Sequence, residues 1–341
     1  MIMFYSKIRK CLLTLAMLFS FTLAFSQPAL TKIGEYKCGR QPKQVVFSPD
    51  NKYVILPLLD DNGFDIFSVE LKKVIRRINP PDASKVGFAE CLFIPEKKSF
   101  FVSQMTTGKI YEYSYPGFDY KRAISTEGEW SKFIAYSSEK DMLAVSNWLS
   151  NDVSLIDYSS GKVLRKLKTG KSPRGLFFIN GGESIISLSF DSGDIQQFST
   201  STGTREKSVK VQDAAMRHIV VNDEHTTAYI SDMYHRNVIK FDIATFKITA
   251  TLKVFNNPNT IDLYGNRYLF VSCRGPNNPQ DYTKRSPQNG KIYIIDTRDM
   301  SVVKILNGGN QPTGLDVSPD ESFLCFSNFQ DESIELYSIG E

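Results

Sequence analysis

Residues 143–178 read LAVSNWLSNDVSLIDYSSGKVLRKLKTGKSPRGLFF. Apolar and polar residues alternate in short runs here, and each run ends at Ser, Asn, Asp or Gly. That period of two, with turn residues as punctuation, predicts short strands joined by tight turns. The stretch closes on Gly170-Lys171-Ser172-Pro173, after which a new apolar run begins.

The closing phrase recurs. It stands as CGRQPKQVVF at Pro42, as VFNNPNTIDL at Pro258 and as GGNQPTGLDV at Pro312, with weaker copies at Phe88, Ser131 and Met216. Taking Pro42, Phe88, Ser131, Pro173, Met216, Pro258 and Pro312 as equivalent gives spacings of 46, 43, 42, 43, 42 and 54 residues. Each unit holds four short runs, designated strands a to d, with a following the proline position. Four-stranded units repeating every 40 to 45 residues or so are the signature of a β-propeller. Seven units predict an all-β, seven-bladed propeller of antiparallel blades.

The ends of the chain predict how the ring closes. The last unit stops after its third strand, IELYSIGE, whereas the N-terminal region has a spare strand, LTKIGEYKCG. The spare strand is expected to complete blade 7 and so remove an open sheet edge. The phrase Ser-Pro-Asp occurs at Ser48–Asp50 and again at Ser318–Asp320. In each case it is expected to form an a-to-b turn, the proline presetting φ and the aspartate capping the turn. Ring closure would make these two turns neighbours.

Residues 1–26 read differently. Lys7, Arg9 and Lys10 precede the apolar run CLLTLAMLFSFTLAF, and Ala24-Phe25-Ser26 precedes Gln27. This is the pattern of a secretory signal peptide, and the run is short for a membrane span, which needs about 20 residues. The expected mature chain is residues 27–341, a single propeller domain in the periplasm or outside the cell, with no membrane span after cleavage. Cys38, Cys91, Cys273 and Cys325 lack metal-ligand spacing, and free buried thiols are expected.

The 143–178 stretch resembles the YVTN-type repeat: an apolar strand, a Ser/Asn turn, then "v-x-v-I-D", "t-g-k-v" and "v-G-x-x-P-x-g". VIKFDIATFKITATLKV and IYIIDTRDMSVVKILNGGNQPTGLDVSPD resemble it again. The likeness extends over essentially all of the expected mature chain and is poorest in the second blade. It implies a seven-bladed propeller of the surface-layer and YncE-like exported kind, mostly binding proteins or scaffolds. A fold of this kind does not name a ligand.

Candidate site residues follow from propeller geometry. The d-to-a and b-to-c loops share one face, and the residue after each proline position starts the channel-lining strand. That places Lys43, Lys132, Arg174 and Arg217 at one mouth, with Glu90 and His218 one place further on. Trp148, Asp232 and Arg274 come from the ends of strand b. Convergent guanidinium groups suit carboxylate or phosphate, which they grip with two parallel hydrogen bonds. The same residues would equally serve as salt-bridge partners and turn caps. The b-to-c loop of blade 6, CRGPNNPQDYTKRSPQNG, is longer by about a dozen residues and carries Arg274, Tyr282, Lys284 and Arg285. It reads as a lid or as a polar insertion.

The sequence thus points to an exported non-catalytic binding or scaffold propeller, with a protein partner or a small anionic ligand. A lactonase-like hydrolase is the alternative, with Glu90, Asp232 and His218 as the available bases. Single-stranded DNA binding through the basic funnel, with Trp148 and Tyr234 stacking on bases, is a third reading. Forty-one Lys and Arg against 37 Asp and Glu, a net +4, is weak support for nucleic acid. No cofactor or metal is implied: the chain has three histidines and no haem-attachment motif.

Overall fold

The computed structural model describes residues 27–281 and 283–340. The signal peptide expected over residues 1–26 lies outside the described residues, as does Tyr282 of the blade 6 loop. The described chain forms seven four-stranded antiparallel sheets. Six of them run a-b-c-d in chain order. The seventh is ordered d-c-b-a with its d strand supplied by Ala29–Lys37, which pairs antiparallel with Ser333–Gly340. The N-terminal strand therefore closes the ring, as the spare strand predicted.

The innermost strands are Val46–Phe47, Phe88–Ile94, Ser131–Ser137, Pro173–Ile179, Met216–Val221, Pro258–Tyr264 and Pro312–Val317 in blades 1 to 7. Six of the seven residues aligned from sequence are the first residue of their strand. The seventh, Pro42, forms an isolated bridge to Leu58. Strands b and c are buried on both faces, for example Ser184–Ser189, whereas d strands such as Arg205–Lys210 face solvent. The d strands are rich in Lys and Arg, as in Val163–Lys168 and Arg205–Lys210. Charge on a sheet edge discourages pairing with other chains.

The core consists of seven apolar clusters, one between each pair of adjacent blades. The cluster between blades 7 and 1 contains Val45, Val54, Leu56, Cys325, Ile334 and Leu336. No blade buries its apolar faces alone, so stability depends on completing the ring. Gly314 allows the backbones of blades 7 and 1 to approach closely. A Cβ there would meet the Gln44 carbonyl carbon at 2.6 Å and the Val45 nitrogen at 2.7 Å.

The two Ser-Pro-Asp phrases form equivalent a-to-b turns in these adjacent blades. Ser48 Oγ donates to Asp50 Oδ1 at 2.8 Å and accepts from Tyr53 N at 3.0 Å. Ser318 Oγ repeats this with Asp320 Oδ1 at 2.7 Å and Phe323 N at 2.9 Å. Serine organises the turn as much as aspartate does. Cys38, Cys91, Cys273 and Cys325 are all free thiols. Among the described residues, no helix is long and apolar enough to cross a membrane.

Candidate functional site

In blades 2 to 7 the pairing of strands a and b skips the two residues after the proline position. The ladder breaks between Phe88 and Cys91, Ser131 and Ile134, Pro173 and Leu176, Met216 and Ile219, Pro258 and Ile261, and Pro312 and Leu315. Such a bulge frees two residues from the pleat and re-aims their side chains. It also leaves a buried backbone N–H without a ladder partner.

A serine of strand b supplies that partner in five blades. Ser103, Ser146, Ser231 and Ser272 Oγ each accept from the N–H of Glu90, Phe133, His218 and Thr260 at 3.1 Å. Ser327 Oγ accepts from Gly314 N at 2.9 Å. Three of these serines also donate to the next blade: Ser231 to Asn259 O at 2.6 Å, Ser272 to Thr313 O at 2.8 Å and Ser327 to Pro42 O at 2.9 Å. Sequence reading passed over these serines. Their signal was present in the recurring Ser of VSQ, VSN, ISD, VSC and FSN.

The freed residues bring charge to the channel. Glu90 of blade 2 reaches across to Arg174 of blade 4, forming a buried hydrogen-bonded ion pair. Arg217 of blade 5 lies 4.0 Å from the same carboxylate oxygen, and its side chain is only 5 % exposed. Arg174 Nη1, Arg217 Nη1, His218 Nδ1 and Asn259 Oδ1 are buried with no hydrogen-bond partner. Buried polar atoms of this kind are rare in native proteins and need a reason.

Three more cations are half-buried around this pair. Lys132 Nζ lies 3.5 Å from the Trp148 ring centroid and 5.5 Å from that of Trp130. Trp148 is backed by Phe190, centroid to centroid 4.9 Å. Lys43 Nζ and Arg274 Cζ each lie 5.2 Å from the Phe329 centroid. Arg274 also bonds Gln311 Oε1.

Burial and mutual repulsion both disfavour the charged forms of these groups. Burial, then Arg217, Arg274, Arg174 and Lys132, push Lys43 well below the ordinary ammonium value. Burial, Arg174 and Arg217 do the same to Lys132, opposed by Glu90 and Asp191. Burial and the two arginines hold His218 neutral. Its ring packs edge-on against Phe133 at 5.4 Å.

Eight of the nine candidate residues are accounted for by this cluster and its aromatic supports: Lys43, Glu90, Lys132, Trp148, Arg174, Arg217, His218 and Arg274. Asp232 is the exception. It is fully buried, and its Oδ1 accepts from Ala215 N at 2.9 Å while its Oδ2 contacts His235 Nδ1 at 2.7 Å. Asn147 and Asn328 occupy the same repeat position and likewise bind the d-to-a segment, through Ser131 Oγ at 2.8 Å and Gly309 N at 2.9 Å. Asp232 is therefore a turn anchor of the repeat, with both oxygens already engaged.

The long blade 6 loop is fastened to blade 7. Arg285 Nη1 pairs with Asp331 Oδ1 at 2.5 Å, Gln330 Nε2 donates to Thr283 O at 2.6 Å, and Ser286 N donates to Asn310 Oδ1 at 3.0 Å. At the opposite face the channel opens into a cavity of about 680 Å³ whose lining includes Glu139, Asp223, Asp262 and Glu321. The two mouths thus differ in sign, basic at one and acidic at the other. Among the described residues, no group of three or more His, Cys, Asp or Glu is placed to hold a metal ion.

No family model matches the chain. It is 35 % identical over 315 residues to antigen Lp49 of Leptospira interrogans serogroup Icterohaemorrhagiae serovar copenhageni (strain Fiocruz L1-130), covering 89 % of this chain and 69 % of that protein. With seven blades, a ring closed by its N-terminal strand and this degree of identity over most of both chains, the protein belongs to the family of antigen Lp49.

Proposed function

We propose that this chain is an exported, non-catalytic binding propeller of the YVTN type, whose basic channel takes an anionic ligand. The observation that carries the reading is Arg217. Its guanidinium is buried beside that of Arg174, and each leaves Nη1 without a hydrogen bond. Burying charged donors without partners is costly, and an anion bridging the two would satisfy both. Export is supported by the apolar segment Cys11–Phe25 and accords with a relative named as an antigen.

The geometry does not favour the hydrolase alternative. Asp232 is consumed by the turn and Glu90 by Arg174, and His218, buried against Phe133 beside Arg174 and Arg217, is a weaker base than a free imidazole.

The test is a thermal-shift screen of residues 27–341 against sugar acids, phosphates, nucleotides, short acidic peptides and divalent metals, at low and high salt. A ligand that binds only the folded state raises the melting temperature. Anions should raise it, less so at high salt, and Arg217→Gln should abolish the response while remaining folded. A flat response to every anion would refute the reading.

A further inference from the structure

Five cationic side chains from blades 1, 3, 4, 5 and 6 surround the channel, and Glu90 is the carboxylate paired within it. Lys43 and Lys132 rest on the faces of Phe329 and Trp148. An aromatic face holds a cation in place through its quadrupole but leaves the charge uncancelled. A carboxylate in the same position would neutralise it. The channel therefore gathers more basic than acidic groups, with Lys43 and Lys132 held in position by aromatic faces before any ligand arrives.

The cations also approach from different sides of the ring. A ligand with one charged group can reach only a subset of them. A ligand with several charged arms can meet the buried Arg174 and Arg217 while other arms meet Lys43, Lys132 and Arg274. We propose that the ligand of this channel is a small polyanion, with three or more carboxylate or phosphate charges, and that its binding draws protons into the site.

The proton linkage follows from the same crowding. Lys43 faces Arg217, Arg274, Arg174 and Lys132, while Lys132 faces Arg174 and Arg217 with only Glu90 and Asp191 in opposition. Without a counter-anion these ammonium groups are disfavoured by burial and by the neighbouring cations. A polyanion reverses the local field, restores them and takes up protons from solvent. His218, beside Arg217 and Arg174, responds in the same direction.

This inference rests on the anion-binding reading and is tested so that the two can fail separately. Calorimetric titrations at constant ionic strength and mildly alkaline pH would use two series: acetate, succinate and tricarballylate, then orthophosphate, pyrophosphate and tripolyphosphate. Repeating them in buffers of different ionisation enthalpy gives the protons taken up. In at least one series, affinity should rise about tenfold per added charge. Uptake should be about one proton, falling in Lys43→Gln and Lys132→Gln. The responding series identifies whether the arms are carboxylates or phosphates. Equal affinity for singly and triply charged members, or binding without proton uptake, would overturn the polyanion inference and leave anion binding standing. No binding in either series would overturn both.

Discussion

Glu90 and Arg174 meet across the channel from blades 2 and 4, both nearly excluded from solvent. The pair ties non-adjacent blades together and is the cation cluster's internal counter-charge. Removing one partner from a buried pair leaves the other uncompensated, at a cost of about 3–5 kcal/mol. Glu90→Gln is therefore expected to lower the melting temperature of the ligand-free protein. Tripolyphosphate or tricarballylate should restore it with a larger shift than in wild type, because the competing carboxylate is gone. Equal shifts in the two proteins would show that Glu90 does not compete for the site.

The strand-b serines make a contrasting pair of predictions. Ser231 Oγ accepts from His218 N and donates to Asn259 O, whereas Ser187 Oγ in blade 4 is buried without a partner. Ser231→Ala should cost about 1–3 kcal/mol, since it strands a buried N–H and a carbonyl. Ser187→Ala should be close to neutral. Denaturant unfolding of both variants decides the matter, and equal effects would contradict the role assigned to the bulge serines.

A carboxylate pair governs the pH response of the closing blades. Asp262 Oδ2 accepts from Val317 N at 2.8 Å and Asp316 Oδ2 from Phe47 N at 2.6 Å, linking blade 6 to 7 and 7 to 1. Burial raises Asp262 from 3.8 to about 6, and burial together with Asp262 raises Asp316 well above its ordinary value. The folded state therefore holds more protons than the unfolded one from 3.8 to about 6 and beyond. Stability contributed by the pair is present at low pH and lost as pH rises through that range. Asp316→Asn keeps an acceptor for Phe47 N and removes the repulsion. It should stabilise the protein at neutral pH, on the order of 1–3 kcal/mol. The wild-type-minus-variant difference, measured from acid to neutral pH, isolates this from His218, whose lowered pKa acts with the opposite sign. A difference that does not change with pH would contradict the coupling.

Ring closure gives a simpler prediction. Deleting residues 27–37 removes the strand that pairs with Ser333–Gly340, the ion pair of Lys32 with Glu335 at 2.7 Å and the bond from Ser333 Oγ to Glu35 at 2.9 Å. The exposed edge and the opened cluster between blades 7 and 1 should abolish cooperative unfolding and promote self-association. Calorimetry and size-exclusion chromatography would show it. A monomeric, cooperatively folded deletion variant would contradict the closure role.

Blade count, strand starts and ring closure were legible because each blade repeats its turn chemistry: Pro173, Pro258 and Pro312 begin strands where the repeat placed them. The channel cations were legible for the same reason, since Arg174 and Arg217 share one repeat position. What the residues could not convey was pairing across the ring. That Glu90 would meet Arg174, that Asp262 and Asp316 would face one another, and that Arg274 and Lys43 would share Phe329 depend on blade-to-blade geometry without a local signal. Asp232 misled because its type suits a binding site, whereas its repeat position, shared with Asn147 and Asn328, is that of an anchor. The bulge that frees Glu90 and Arg217 shows only in the broken a–b register.

The central claim is that an anion seats between Arg174 and Arg217. Its most direct measurement is a crystal structure grown with selenate, located by the anomalous scattering of selenium. The account predicts an anomalous peak in the channel within hydrogen-bond reach of Arg174 Nη1 and Arg217 Nη1, absent from Arg217→Gln crystals. Peaks confined to exposed lysines and arginines on the outer strands, with the channel vacant, would contradict it.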